Sequence, residues 1–488
     1  MAVNTMMSKE TEKKREQVHI MSMDEMVPKD HLLRNVERAI DFSFIYDLVK
    51  EKYSEDKGRP SLDPVMLIKI VIIQYLYGIK SMRQTIKEIE VNVAYRWFLG
   101  LTMYDPVPHF STFGKNYTRR FKDTDLFEQI FTKILEECFR CNFVEPSVAY
   151  IDGTHIKAHA NKKKSIKTKV KKEALFYEKE LRKEINKDRE EHGKKPLKDK
   201  DDDDDGMDEQ IEIKESTTDS ESGLFHKGEH KDVFAYVSQT ACDRHGWILG
   251  YTVNRGNEHD SRNFLGIYKK VTALGANTIV ADAAYKTPAI ARLIIENNRT
   301  PVFPYKRPYT KDGFFRKHEY VYDEYYDCFI CPNNQILSYT TTNKTGYREY
   351  KSKGYICESC PNLNKCTNSK DHVKIVTRHI WEKYIEICED IRHTIGMKEI
   401  YDLRKETIER IFADAKENHA MRYTHYNGKA LMEMKLGLTF ACINLKKLVK
   451  MKKKHGLLKP VLSPFFSIFD WAIFSLNYIR KKHLGFVF

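Results

Sequence analysis

The 488-residue chain lacks an apolar run long enough to cross a membrane without interruption. Its most hydrophobic segment, "PVLSPFFSIFDWAIFSLNYIRKKHLGFVF", is broken by Pro464, Asp470 and Asn477, and so reads as an amphipathic or packing helix. The first residues, "MAVNTMMSKETEKKREQ", are polar and charged where a secretion signal would place its apolar core. Together these absences favour a packing helix over a membrane span and set the expectation of a protein in the cytoplasm. There the ten cysteines stay reduced, and their clusters suggest metal sites before disulfides. Acid is also in short supply outside one stretch. Lys plus Arg number 83 against 69 Asp plus Glu, for a formal charge of +14, and many of the acids crowd into "KDKDDDDDGMDEQ". The rest of the chain is therefore more basic than its average, which favours a polyanionic partner, nucleic acid first.

What is present divides along the chain. Hydrophobic residues make up 41%, enough for real cores in two to four domains. From Asp30 to Phe143 the pattern is helical. In "SLDPVMLIKIVIIQYLYG" Asp63 is an N-cap, Pro64 opens the first turn and Gly78 is a stop. "SMRQTIKEIEVNVAYRWFLGL" begins with Ser81 and Gln84 at capping-box spacing, and Ser111 caps a third helix in "HFSTFGKNYTRRF". Arg83, Lys87, Arg96, Lys115, Arg119 and Arg120 give these helices basic faces, which suits a compact DNA-binding domain. A structural bundle with solvated basic residues is the plainer alternative.

Strand signals begin at "SVAYIDGTHIKAHANKK", where apolar Val148–Ile151 ends at Asp152. A charged segment follows, part of it suited to an exposed helix with i,i+4 pairs, and its acidic run to disorder. Two alternating apolar runs around "DRHG" form a hairpin, a helix spans Arg262–Leu274, and "NTIVADAAYKTPAI" supplies a strand ending at Asp282. Thr287 and Pro288 then cap and open a helix. The order predicts an α/β core with three antiparallel strands followed by a parallel one, and a carboxylate at each of two strand ends. Alone, each aspartate is more often a turn residue. Aromatic, threonine-rich segments from Phe303 to Val376 predict a β-rich insertion, and helices resume at Ile380.

Two strand-end aspartates suggest a shared site for Mg²⁺, which prefers carboxylate oxygens. Ion pairs roughly 3.5–4 Å apart activate water and stabilise the leaving oxygen of a phosphodiester. Glu409 is the best third carboxylate. It precedes Lys416 by seven residues, nearly two helical turns, so both share a face, while Tyr401 and Arg404 lie one turn apart just upstream.

The stretches "RPSLDPVMLIKIVIIQYLYG", "FSTFGKNYTRRF", "YIDGTHIKAHANK", "GNEHDSRNF", "VADAAYKT" and "RKETIERIFADAKENHAMRYTHYNG" resemble the DDE-type transposases of bacterial insertion sequences, in the group with an InsH-type N-terminal domain. The resemblance runs from about residue 28 to 445. It implies an RNase H-like mixed-sheet core, two Mg²⁺ or Mn²⁺ ions, cleavage at the element ends and strand transfer into target DNA by a homodimer in a synaptic complex, acting at the bacterial nucleoid. Asp152 and Asp282 match the family's two catalytic aspartates. Tyr401, Arg404, Glu409 and Lys416 match its tyrosine–arginine–glutamate–lysine signature. Four residues separate Arg404 from Glu409 where the usual signature has three, so Glu406 is a rival ligand. No basic residue lies seven positions after Glu406, which decides for Glu409.

The expected organisation is a leader (1–27), a helical DNA-binding domain (28–145), a catalytic core (146–300 and 375–445) interrupted by a charged insertion (160–228) and a β-rich insertion (301–374), and a basic, hydrophobic tail (446–488). Cys328 and Cys331 form one C-x₂-C pair and Cys357 and Cys360 another, with Cys366 close behind; four of these five suit a structural Zn²⁺. Reduced, buried cysteines are the alternative there, and core packing is the expectation for Cys138 and Cys141. Two rival functions remain at this level: a domesticated DNA-binding protein without activity, and a metal-dependent nuclease that cuts without joining.

Overall fold

A computed structural model describes residue 18 and residues 20–53, 61–122, 124–171, 176–197, 210–227, 231–307 and 310–460. The acidic run, the residues of the leader up to 17 and the hydrophobic tail from 461 onward lie outside the described residues. The chain forms two compact units, one from residues 1–130 and 442–488 and the other from 131–441.

The first unit is helical. Its centre is the helix Pro64–Leu76, which buries residues on every side, among them Leu67, Ile68, Val71, Ile72 and Leu76. Asp63 caps it as expected, its carboxylate accepting from Val65 N at 2.7 Å. Three local expectations need correction. Ser81 accepts from Gln84 N, but the Gln84 side chain turns to Glu88 instead of closing a capping box. The segment after Ser81 is two helices, Met82–Val91 and Val93–Leu99, because the Asn92 side chain accepts from Tyr95 N and restarts the helix. Ser111 is the first helical residue rather than the cap; His109 Nδ1 accepts from its N–H.

The second unit is built on a six-stranded sheet. Its strands are β1 (Val148–Lys157), β4 (Gly223–Lys227), β5 (Lys231–Cys242), β6 (Ile248–Arg255), β7 (Thr278–Val280) and β8 (Thr300–Val302). The short strands β2 (Ser165–Lys171) and β3 (Gln210–Ser216) pair separately. The sheet order is β4–β5–β1–β7–β8, with β6 also on β5. β1, β5 and β6 are antiparallel and β7 runs parallel to β1, as the sequence predicts, while antiparallel β4 and parallel β8 are strands it did not predict. Parallel strands need crossovers, and the helices Phe264–Ala273 and Pro288–Glu296 supply them, burying Phe264, Ile267, Ile290 and Ile294 with Ile151 and Ile279 of the sheet.

The charged segment is more ordered than its composition suggests. Its helix Glu178–Glu191 carries an i,i+4 pair, Lys187 with Glu191, on one face. The opposite face is not exposed: Leu181 and Ile185 join the main core with Trp381, each side chain contributing about 2 kcal/mol. Polar contacts add to this hold: Arg292 pairs with Glu180 and Glu184, and Arg348 donates to Asp188 at 2.8 Å.

A second, five-stranded sheet is antiparallel throughout, in the order β13–β12–β11–β10–β9. It comprises β9 (Val321–Asp323), β10 (Cys328–Ile330), β11 (Ile336–Thr342), β12 (Tyr347–Lys351) and β13 (Ile375–His379). It extends to His379, past the expected end, because Tyr347 pairs with His379. Its own small core is Tyr320, Phe329, Leu337, Tyr350 and Val376.

Candidate active site

The last rung between parallel β1 and β7 joins Tyr150 to Val280. Two residues on, β1 carries Asp152 and the chain just past the end of β7 carries Asp282, so the two carboxylates come within electrostatic reach of each other. Asp282 leaves the strand end and caps its own turn, accepting from Ala284 N at 2.9 Å. Asp152 does not end β1, contrary to expectation. The strand runs on to Lys157, because antiparallel β5 keeps pairing after parallel β7 has stopped.

Asp152 is largely buried. Its Oδ1 accepts from Gly153 N at 2.8 Å, and its Oδ2 lies 2.8 Å from Nη2 of Arg404. Burial pushes its pKa up to about 6, against the pull of Arg404 and the Gly153 N–H, with Asp282 and Asp260 adding to the rise. Tyr401 completes this corner, its hydroxyl accepting from Arg404 Nη1 at 3.2 Å. The structure thus brings Asp152, Asp282, Arg404 and Tyr401 together.

Glu409 is held differently. The helix Met397–Asp402 ends before Arg404, and a new helix, Ile408–Asn418, carries both Glu409 and Lys416. Between them Glu409 N donates to Arg404 O, five residues back, at 3.2 Å. This wide turn absorbs the extra residue between Arg404 and Glu409, giving Glu409 the phase that ordinary helical spacing would give the fourth residue on. Lys416 Nζ donates to Thr154 Oγ1 of β1 at 2.5 Å, so this helix addresses the strand that bears Asp152. The Glu409 side chain is exposed and makes no hydrogen bond or ion pair among the described residues. Glu406 is exposed as well.

Three residues that the sequence did not single out complete the site. Gln239 on β5 lies opposite Gly153 and donates from Nε2 to the backbone oxygen of Asp260 at 2.6 Å. Asp260 follows β6, and Tyr285 lies in the turn after Asp282. Burial, then the charge of Asp282, raises the pKa of Asp260. The Tyr285 hydroxyl is pushed well above its ordinary range, first by burial and then by Asp260, Asp152 and Asp282. Gln239 Oε1, Asp260 Oδ1, Tyr285 Oη and Arg404 Nε are all buried without a hydrogen-bond partner among the described residues. The signals for two of them stood inside the matched stretches "GNEHDSRNF" and "VADAAYKT", but neither stretch says that Asp260 or Tyr285 faces the aspartates.

Residues 21–119 match the family described as a transposase domain (DUF772), and residues 330–449 match a transposase DDE domain. Both matches support a DDE-type transposase of an insertion sequence. No curated protein matches it. The DDE-domain match contains Tyr401, Arg404, Glu409 and Lys416 of the transposase, while Asp152 and Asp282 lie before it.

DDE transposase domains generally use divalent metal ions. The donors fit in kind: carboxylate oxygens on adjacent strands, ringed by orphaned polar atoms, suit a hard cation. In arrangement the site is incomplete, since no group of three His, Cys, Asp or Glu among the described residues is placed to hold a metal ion. Arg404 supplies the positive charge at Asp152.

In the second sheet of the transposase, Cys331 Sγ accepts from the backbone N–H groups of Asn333 at 3.4 Å and Gln335 at 3.3 Å. Cys366 Sγ lies 3.2 Å from the Tyr320 hydroxyl. Cys328 is buried on β10, where burial and then Asp323 and Asp327 raise its thiol pKa. Cys138 packs in the core as expected, its thiol donating to Ile134 O. Among the described residues no helix is long and apolar enough to cross a membrane.

The basic helical residues do not act alike. Arg96 is buried and donates to the backbone oxygens of Glu90, Thr102 and Asp105, so it belongs to the fold and not to a binding face. Arg120 is half-buried over the Tyr53 ring. Arg83, Lys87, Lys115 and Arg119 are exposed.

Proposed function

We propose that the chain cuts phosphodiester bonds at the ends of its insertion sequence and joins the freed 3′-hydroxyl to target DNA. The observation that carries this reading is the electrostatic proximity of Asp152 and Asp282, tied through Arg404 to the segment bearing Glu409 and Lys416. An RNase H-like core is the matching fold proposal, supported by antiparallel β6, β5 and β1 continued beyond β1 by parallel β7 and β8.

Asp152, Asp282 and Glu409 would hold two Mg²⁺ or Mn²⁺ ions. Such ions stabilise the charge that builds on the attacking and leaving oxygens. The chain's own residues do the positioning. Arg404 orients Asp152 and neutralises it while DNA is absent, and Tyr401 holds the guanidinium. Lys416 shares a helix face with Glu409 and offers a cation to a backbone phosphate. A phosphate role for Arg404 requires it to leave Asp152. Exposed Arg83, Lys87, Lys115 and Arg119 would contact the element end, in a dimer that pairs both ends.

A structural Zn²⁺ is proposed for the second sheet, with Cys331, Cys357, Cys360 and Cys366 as ligands. Cys366 lies within electrostatic reach of Cys331 and Cys357, whereas Cys328 is buried beside the carboxylates of Asp323 and Asp327. Elemental analysis of the purified protein should find one zinc per chain, retained in Cys328→Ser and lost in Cys331→Ser.

The element ends are identified from inverted repeats in the DNA flanking the gene. A pre-cut end, supercoiled target and Mg²⁺ then test the main reading. Joined products support a transposase; cutting of an uncut end without any joining would leave a nuclease.

A further inference from the structure

Asp260 has no explanation in the fold. Its Oδ1 is buried with no hydrogen-bond partner among the described residues, and only the His259 charge and the Gln239 amide relieve the carboxylate. It caps no helix: Asn263 holds the N-cap position before Phe264–Ala273. The nearby cation is committed elsewhere, with Arg404 on Asp152, and the exposed His259 ring bonds to Ser261. A buried carboxylate oxygen without a partner lowers stability, so its presence calls for a ligand.

Its placement is specific. A Cβ at Gly153 would lie 2.7 Å from Asp260 Oδ1 and 3.2 Å from Oδ2. Any side chain beside Asp152 would force this carboxylate to shift, and Gln239 holds the Asp260 backbone. Two further observations point to a bound ligand. The fully buried Tyr285 hydroxyl lies within electrostatic reach of Asp260, Asp152 and Asp282 and has no hydrogen-bond partner. Gln239, also fully buried, bonds Asp260 with its amide nitrogen and leaves its Oε1 without one.

We propose that Asp260 is a further carboxylate of the divalent-cation site, held against Asp152 and Asp282 by Gln239 and by the missing side chain at Gly153. This rests on the reading of Asp152 and Asp282 as cation ligands. In that arrangement Tyr285 and Gln239 orient the carboxylates, and the three acids, which do not form a closed ligand set on their own, would draw together when the cation binds.

The test uses the full chain without DNA, with Mn²⁺ as the probe, followed by calorimetry and thermal unfolding. Asp260→Asn should raise the melting temperature of the metal-free protein, because it removes like charge. It should also weaken Mn²⁺ binding at least tenfold and shrink the Mn²⁺-induced rise in melting temperature. An aspartate with a merely structural role would lower the metal-free melting temperature when changed. Gly153→Ala, which displaces Asp260 without changing charge, should weaken Mn²⁺ binding as well, and it decides the matter if Asp260→Asn does not fold. Wild-type Mn²⁺ affinity in these variants, with loss in Asp282→Asn, would overturn the role of Asp260 and leave the aspartate pair standing. Equal Mn²⁺ binding by wild type and Asp282→Asn would instead overturn the reading beneath it.

Discussion

Arg404 Nη2 lies 2.8 Å from Asp152 Oδ2, joining a turn late in the chain to the central strand of the main sheet. Both side chains are largely buried, so the pair cannot be broken cheaply. Removing one partner of a buried pair leaves an uncompensated charge and costs about 3 kcal/mol or more. Arg404→Ala should therefore destabilise the protein by roughly that amount in chemical denaturation. Arg404→Lys should lose less, since it keeps the charge but not the forked geometry.

Lys416 gives a contrasting case. Its half-buried side chain donates to Thr154, and its proposed partner is a phosphate. Lys416→Gln should lower stability by less than about 1.5 kcal/mol. It should weaken binding to end DNA and reduce the salt dependence of that binding by about one unit of slope.

The helical unit separates basic residues by role. Arg96→Ala strands three backbone oxygens and should lower the melting temperature, at a cost of roughly 1–3 kcal/mol for each oxygen left buried and unsatisfied. Arg83→Ala, Lys87→Ala, Lys115→Ala and Arg119→Ala should leave melting almost unchanged and weaken DNA binding, as read by electrophoretic shift.

The second sheet carries an acid-sensitive residue. His379 is buried, its Nδ1 accepts from Trp381 N at 3.0 Å, and burial lowers its pKa to about 4. The neutral ring is the folded form, so the unfolded chain binds the extra proton between pH 4 and 6.5. This contribution is fully present above pH 6.5 and is lost as pH falls toward 4, about 3 kcal/mol in all. Denaturation at pH 7 and pH 5 should show wild type losing more stability on acidification than His379→Asn.

Much of this was legible in the sequence because local chemistry and tertiary structure agree. Asp63 and Pro64, Thr287 and Pro288, and the "DRHG" hairpin are marked by residues whose side chains satisfy nearby backbone groups. The order of β1, β5, β6 and β7 followed from alternating and continuous apolar runs. What stayed hidden depends on contacts between distant segments. Arg96 looks like any basic helical residue until the loop carbonyls around it are in place. The helix Glu178–Glu191 reads as exposed until Trp381 meets Leu181 and Ile185. Asp260 is one polar residue in a polar loop, and only the absent side chain at Gly153 shows what it faces.

The central claim is that Asp152 and Asp282 hold the divalent ion used for cleavage. Asp282→Asn, assayed on a duplex carrying an element end with Mg²⁺ present, tests it most directly. The account predicts wild-type melting within a few degrees, undiminished end binding in an electrophoretic shift and no detectable cleavage. Cleavage at the wild-type rate by that variant would contradict it.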